Sequence, residues 1–135
     1  MERDAFQMTF EVTSDDIDTL GHVNNISYVR WIQDIAVAYS ASVGLDYEAY
    51  GKIGGIFVIR RHEIDYLRPL LRGDVVRVRT WVGNVMAAKC VRHTELRRGE
   101  ETELVAKAYT VWAFVDAKTG RPTRIPGHVR EALSA

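Results

Sequence analysis

Three carboxylates and a histidine stand together in Asp15-Asp16-Ile17-Asp18-Thr19-Leu20-Gly21-His22-Val23-Asn24-Asn25, the densest run of chemically capable side chains in the sequence. A carboxylate can serve as a general base toward water or as a nucleophile toward a carbonyl. Either role calls for a second group to stabilise the oxyanion that forms on attack. The residues that follow offer one. From Asn25 to Val43 the apolar Tyr28, Trp31, Ile32, Ile35, Tyr39 and Val43 recur at helical spacing, which predicts one long helix. The free N–H groups of its first turn and its partial positive end attract negative charge. Asp18, seven residues ahead of Asn25, is thus placed to share a carbonyl with the Asn25 backbone N–H. Acidic residues before a helix also act as caps and dipole partners, so composition leaves both roles open.

Several elements must hold this cluster in place. Asn24 is expected as the helix N-cap and Gly44 as its left-handed C-terminal residue. A connector containing Gly51, Gly54 and Gly55 reads as a flexible lid or turn, since it lacks the lysine and strand–helix context of a phosphate loop. Strands are predicted over Ile56 to Leu67, Val75 to Val85, Ala88 to Arg97 and Leu104 to Val115, with another at Met8 to Thr13 before the helix. Gly73-Asp74 and Arg98-Gly99-Glu100 mark turns, and Asn84 lies near a third. Val76, Val78, Thr80 and Val82 alternate with Arg77, Arg79 and Trp81, the period of a sheet with one covered face. A short helix is expected from about Pro126, after the turn Thr119-Gly120-Arg121-Pro122. One apolar helix over long strands predicts an α+β fold with a curved, largely antiparallel sheet of about five strands. At 135 residues the chain is read as a single domain, 1–135, with apolar residues such as Val111 and Val115 seeking partners.

Eighteen basic residues balance eighteen acidic ones, so no global field draws the chain to nucleic acid or an anionic membrane. The amino-terminal Met1-Glu2-Arg3-Asp4 is not followed by the apolar core of a secretory signal, and no apolar run is long enough to span a membrane. With a lone Cys90, read as a buried apolar filler, this gives a cytoplasmic expectation. His62, His93 and His128 lack metal-ligand spacing, and Ser40 and Ser42 lie mid-helix without a base, so neither a metal, a cofactor nor a serine triad is expected.

The pattern Asp16-x-Asp18-x-x-Gly21-His22-Val23-Asn24-Asn25-x-x-Tyr28-x-x-Trp31 resembles the 4-hydroxybenzoyl-CoA thioesterase-like branch of the hotdog acyl-thioesterases. The resemblance continues through Ile64-Asp65-Tyr66-x-x-Pro69-x-x-x-Gly73-Asp74 to Phe114-Val115-Asp116 and Thr119-Gly120-Arg121-Pro122. It implies a hotdog fold with the helix wrapped by the sheet, a homodimer or tetramer with the acyl site at the subunit interface, and acyl-CoA hydrolysis. Asp18 takes the position of the catalytic carboxylate, nucleophile or general base, and the Asn25 N–H that of the carbonyl-polarising donor. His22 is implied as a further catalytic candidate, and Gly21, Val23, Asn24, Tyr28 and Trp31 as substrate-binding residues. Plant acyl-ACP thioesterases look similar around His22-Val23-Asn24-Asn25 but carry an Asn where this chain has Leu20, which favours the CoA-type arrangement. Asp15 and Asp16 are expected to be dispensable neighbours of Asp18. Arg60, Arg61, Arg68, Arg72, Lys89, Arg92, Arg97 and Arg98 are read mostly as solvated charges, two or three of them contacting the CoA phosphates. Rival readings are an acyl-ACP thioesterase, a hotdog hydratase or dehydratase, whose Asp–His spacing and Asn-Pro context are missing here, and a non-catalytic acyl-CoA-binding module.

Overall fold

The computed structural model describes residues 5–134. The amino-terminal Met1-Glu2-Arg3-Asp4, read above for an export signal, lies outside the described residues. Strand β1, Phe6–Glu11, is followed by a 3₁₀ turn at Ser14–Asp16 and then by helix α1, Asn25–Ser42. Next come a short helix α2, Tyr47–Ile53, strands β2 (Gly55–Tyr66), β3 (Val75–Val85), β4 (Lys89–Arg98) and β5 (Leu104–Asp116), and helix α3, Gly127–Ser134. The strands form one antiparallel sheet in the order β1-β3-β4-β5-β2, β1 meeting β3 in register from Phe6 opposite Thr80 to Glu11 opposite Val75. The α+β class and all five expected strands are therefore present. No helix among the described residues is long and apolar enough to cross a membrane.

Two compact units make up the chain. One comprises the residues up to Ala36 with Ile64–Trp81 and Thr94–Ala108, and the other Val37–Glu63, Val82–His93 and the residues from Tyr109 onward. Helix α1 and strands β2 to β5 contribute residues to both. In the first unit, Tyr28, Trp31, Ile32 and Ile35 of α1 pack on Val76 and Val78 of β3, Leu96 of β4, and Val105, Ala106 and Ala108 of β5. The apolar stripe thus buries against the alternating face of β3, where Val76, Val78 and Thr80 are fully buried and Arg77 and Arg79 are not. In the second unit, Leu45, Val82, Cys90, Phe114, Ile125, Val129 and Leu133 form the core. Cys90 is filler there, and burial pushes its thiol up to about 11.

Two expectations need correction. The glycine-containing connector is ordered: Asp46 caps α2 by accepting the Ala49 N–H at 2.8 Å, and Gly54 ends it in the left-handed region. Gly55 then opens β2, where an added Cβ would stand 2.5 Å from the Phe114 ring, so its role is close approach. Strand β5 is internal and its Val115 is buried, so the unpaired edges belong to β1 and β2.

Candidate functional site

Asp18 is carried by a short hairpin. Ile17 and Val23 pair as an isolated antiparallel bridge, and the Asp18 N–H donates to the His22 carbonyl at 2.9 Å. The chain reverses through Gly21 at φ +83°, a backbone region that costs a residue with a Cβ about 1–2 kcal/mol. One carboxylate oxygen of Asp18, Oδ1, accepts the backbone N–H of Leu20 at 2.9 Å and of His22 at 3.2 Å, and so fastens the side chain to its own loop. Among the described residues Oδ2 accepts no hydrogen bond, and the side chain is exposed. One oxygen anchors while the other is presented.

The helix begins as the sequence predicts. Asn24 caps it, its Oδ1 accepting the Ser27 N–H at 2.9 Å. With that donor taken, the N–H groups of Asn25 and Ile26 are left without an acceptor among the described residues, and both residues are exposed. These two donors, at the positive end of α1, are available to a carbonyl or carboxylate oxygen of a ligand.

Asp16 differs sharply from its neighbours. It is 2% exposed, whereas Asp15 and Asp18 are both exposed. Its Oδ2 accepts the Thr13 N–H at 3.0 Å, and its Oδ1 accepts the Ser27 hydroxyl at 2.8 Å and a guanidinium N–H of Arg30. Its own carbonyl accepts both the backbone N–H of Asn24 at 2.8 Å and the Asn24 side-chain amide at 3.0 Å. Burial pushes the Asp16 carboxyl upward, but the donors of Thr13, Ser27 and Arg30 outweigh it and hold the group below the ordinary carboxylate range. A lowered folded-state pKa means that ionised Asp16 stabilises the protein at neutral pH and that this contribution is lost as pH falls from the unfolded value through the folded one.

The remaining residues divide by exposure. Gly21 and His22 are exposed on the Asp18 loop, the His22 ring making no hydrogen bond among the described residues while its backbone holds Asp18. Val23, Tyr28 and Trp31 are 5%, 3% and 2% exposed and belong to the core behind the loop, Tyr28 meeting Trp31 and Tyr66 edge-on at 5.7 and 5.0 Å. Two large apolar residues stand beside these site residues in sequence: Leu20 on the loop, noted above only for the carrier, and Ile26 in the first helical turn, which sequence reasoning left aside, 81% and 76% exposed.

Among the cations, Arg92 is not a solvated charge. It is 4% exposed and stacks over Tyr39, 4.9 Å from the ring centroid, and burial pushes its pKa down. Arg61 and Arg68 pair with Glu63 and Glu103, Arg97 with Glu95, and Arg98 with Asp74. The side chains of Arg60, Arg72 and Lys89 are exposed and unpaired among the described residues. His62 donates to or accepts from the Thr110 hydroxyl at 3.0 Å, and no group of three His, Cys, Asp or Glu side chains comes together among the described residues.

Comparison with known proteins identifies the family and the fold. Residues 12–133 match the model of the thioesterase-like superfamily, a span that contains the Asp18 hairpin, α1 and the whole sheet from β2 to β5. The chain belongs to the thioesterase-like superfamily. Its fold is the hotdog fold expected above. A curated relative, the chloroplastic acyl-acyl carrier protein thioesterase ATL2 of Arabidopsis thaliana, is 29% identical over 126 residues, covering 92% of this chain and 65% of the relative. The chloroplastic acyl-[acyl-carrier-protein] hydrolase FATB3 of Cuphea viscosissima is 24% identical, covering 96% of this chain and 33% of the relative. The chain therefore spans about two thirds or less of these relatives' length. Among solved structures, a thioesterase from Thermus thermophilus complexed with coenzyme A and zinc superposes with a TM-score of 0.81 at 27% identity, covering 94% of this chain and 90% of that one. A 1,4-dihydroxy-2-naphthoyl-CoA thioesterase from Synechocystis shares the fold with a TM-score of 0.87 at 18% identity, covering 96% of each chain.

Proposed function

We propose that this superfamily member hydrolyses an acyl-CoA thioester to the free acid and CoA, with Asp18 as its reacting carboxylate. The observation that carries the reading is the pairing of an exposed Asp18, one oxygen fastened and one presented, with the open first-turn N–H groups of Asn25 and Ile26. In this reading the Asn25 N–H receives the thioester carbonyl oxygen as it becomes an oxyanion. Asp18 either attacks the carbonyl carbon, to form a mixed anhydride that water opens, or takes a proton from the attacking water. CoA leaves as the thiol in both. His22, exposed on the same loop, is a polar neighbour of the reacting carbonyl, and Gly21, Val23, Asn24, Tyr28 and Trp31 shape the acyl site.

CoA rather than acyl carrier protein is the chosen carrier because Leu20 stands where the similar plant enzymes carry Asn, and a coenzyme A complex exists for the Thermus relative. The protein works as a homodimer or larger, joined through sheet edges that a single chain leaves unpaired, with the partner covering the exposed Leu20 and Ile26. Thiol release measured over a panel of acyl-CoAs and acyl carrier protein thioesters tests the activity. Hydrolysis is expected with CoA esters, and a change in enoyl absorbance without thiol release would contradict it in favour of a hydratase. Light scattering at micromolar concentration is expected to give a dimer or tetramer, and a fully active monomer would refute the assembly.

A further inference from the structure

Both halves of the proposed site are tied to one buried residue. The Asp18 hairpin springs from Asp16 and returns to Asn24, and these two ends are joined by two hydrogen bonds to the Asp16 carbonyl. The donation from the Asn24 amide nitrogen fixes which way that side chain faces, so its oxygen must point to the Ser27 N–H and leave Asn25 and Ile26 as the open donors. The Asp16 carboxylate then bonds Ser27 and Arg30, one turn apart on the same face of α1, and reaches back to Thr13. Removing the carboxylate would release Ser27, Arg30 and Thr13, leaving only the two Asn24 bonds to the Asp16 carbonyl between that residue and the helix start.

We infer that Asp16 is a positioning residue for turnover: through Ser27, Arg30 and Asn24 it sets the first-turn N–H groups of α1 against the Asp18 carboxylate. This rests on the proposed role of Asp18. It also reverses the expectation that Asp16, like Asp15, is dispensable. Geometry of reacting groups is costly to lose, a displacement of about 1 Å being able to cost about a hundredfold in rate. Because Asp16 touches neither the presented Oδ2 of Asp18 nor the open N–H groups, its loss should act on kcat and leave substrate affinity nearly intact.

The test compares Asp16→Asn, Ser27→Ala, Arg30→Gln and Arg30→Lys with the charge control Asp15→Asn and the core control Val78→Ala, all as full-length assembled protein well below their melting temperatures. Val78 is fully buried in the core of the same unit. The expected result is a fall in kcat of about tenfold to a hundredfold for Asp16→Asn, with KM changed by less than about threefold. Ser27→Ala should fall in the same direction, and Arg30→Lys should recover part of what Arg30→Gln loses. Asp15→Asn should match the parent, and Val78→Ala should lower Tm without lowering kcat. If Asp16→Asn does not fold, Ser27→Ala and the Arg30 pair carry the test. Parental kcat in Asp16→Asn and Ser27→Ala, with a Tm loss like that of Val78→Ala, would overturn the inference. An Asp18→Asn arm separates the two levels: an inactive Asp18 variant beside fully active Asp16 and Ser27 variants sinks only this inference, whereas a fully active Asp18 variant removes the reading beneath it.

Discussion

Asn25→Pro is expected to lower kcat by about a hundredfold to a thousandfold, the effect of deleting one preorganised oxyanion donor, while Asn25→Ala stays near the parent. The difference isolates the backbone. Asn25 is the first residue of α1, and its side chain is exposed and bonded to nothing among the described residues, so alanine removes little. Proline is well tolerated at that helical position, where no intrahelical bond uses the N–H and the preset φ suits the turn. An N-cap residue typically has extended backbone, the conformation that a following proline favours. A loss of turnover in the proline variant without a matching loss of Tm therefore reports the missing donor. Equal kcat in the alanine and proline variants would contradict the assignment.

What the sequence made legible follows from how local each signal was. Helix α1 was predicted from Asn25 to Val43 and ends at Ser42, because a wide apolar stripe and the Asn24 cap leave few other solutions. Strand β3 matched at both ends, its two-residue alternation being set by the helix that covers one face. The short helix α2 was read as a lid or turn because seven residues with no fully buried member and a central Gly51 carry no stripe. Its one available signal was Asp46 as a cap.

Within the site, the Asp18 hairpin and the helix start were legible as a motif, but the inequality of the three carboxylates was not. Asp15, Asp16 and Asp18 look alike in one dimension. They are sorted by what lies 11 and 14 residues away from Asp16, namely Ser27 and Arg30, which meet it only once α1 has folded. The pattern Thr13-x-x-Asp16, whose Thr13 N–H the carboxylate accepts, was the local hint. Arg92 escaped for the opposite reason: its burial depends on strands and a helix far apart in sequence, and a cation on a strand reads as solvated until Tyr39 is seen beneath it.

The other large effect is expected at Asp18. Its Oδ1 accepts the N–H groups of Leu20 and His22, and the side-chain oxygen of an asparagine can accept the same two bonds, so Asp18→Asn preserves the hairpin. What asparagine cannot do at neutral pH is take a proton from water or attack a carbonyl as a carboxylate. If Asp18 merely closed its loop, the substitution would be nearly silent in both Tm and turnover. If it is the reacting carboxylate, turnover should fall by at least about a hundredfold, the scale of a lost general base, with Tm and ligand affinity close to the parent.

The measurement is therefore kcat for thiol release from a responsive acyl-CoA by the parent, Asp15→Asn and Asp18→Asn proteins, each with a thermal melt and a titration with a non-hydrolysable thioester analogue. The account predicts an active Asp15 variant and an Asp18 variant that folds and binds the analogue but has almost no turnover. Parental kcat in the folded Asp18 variant would contradict it.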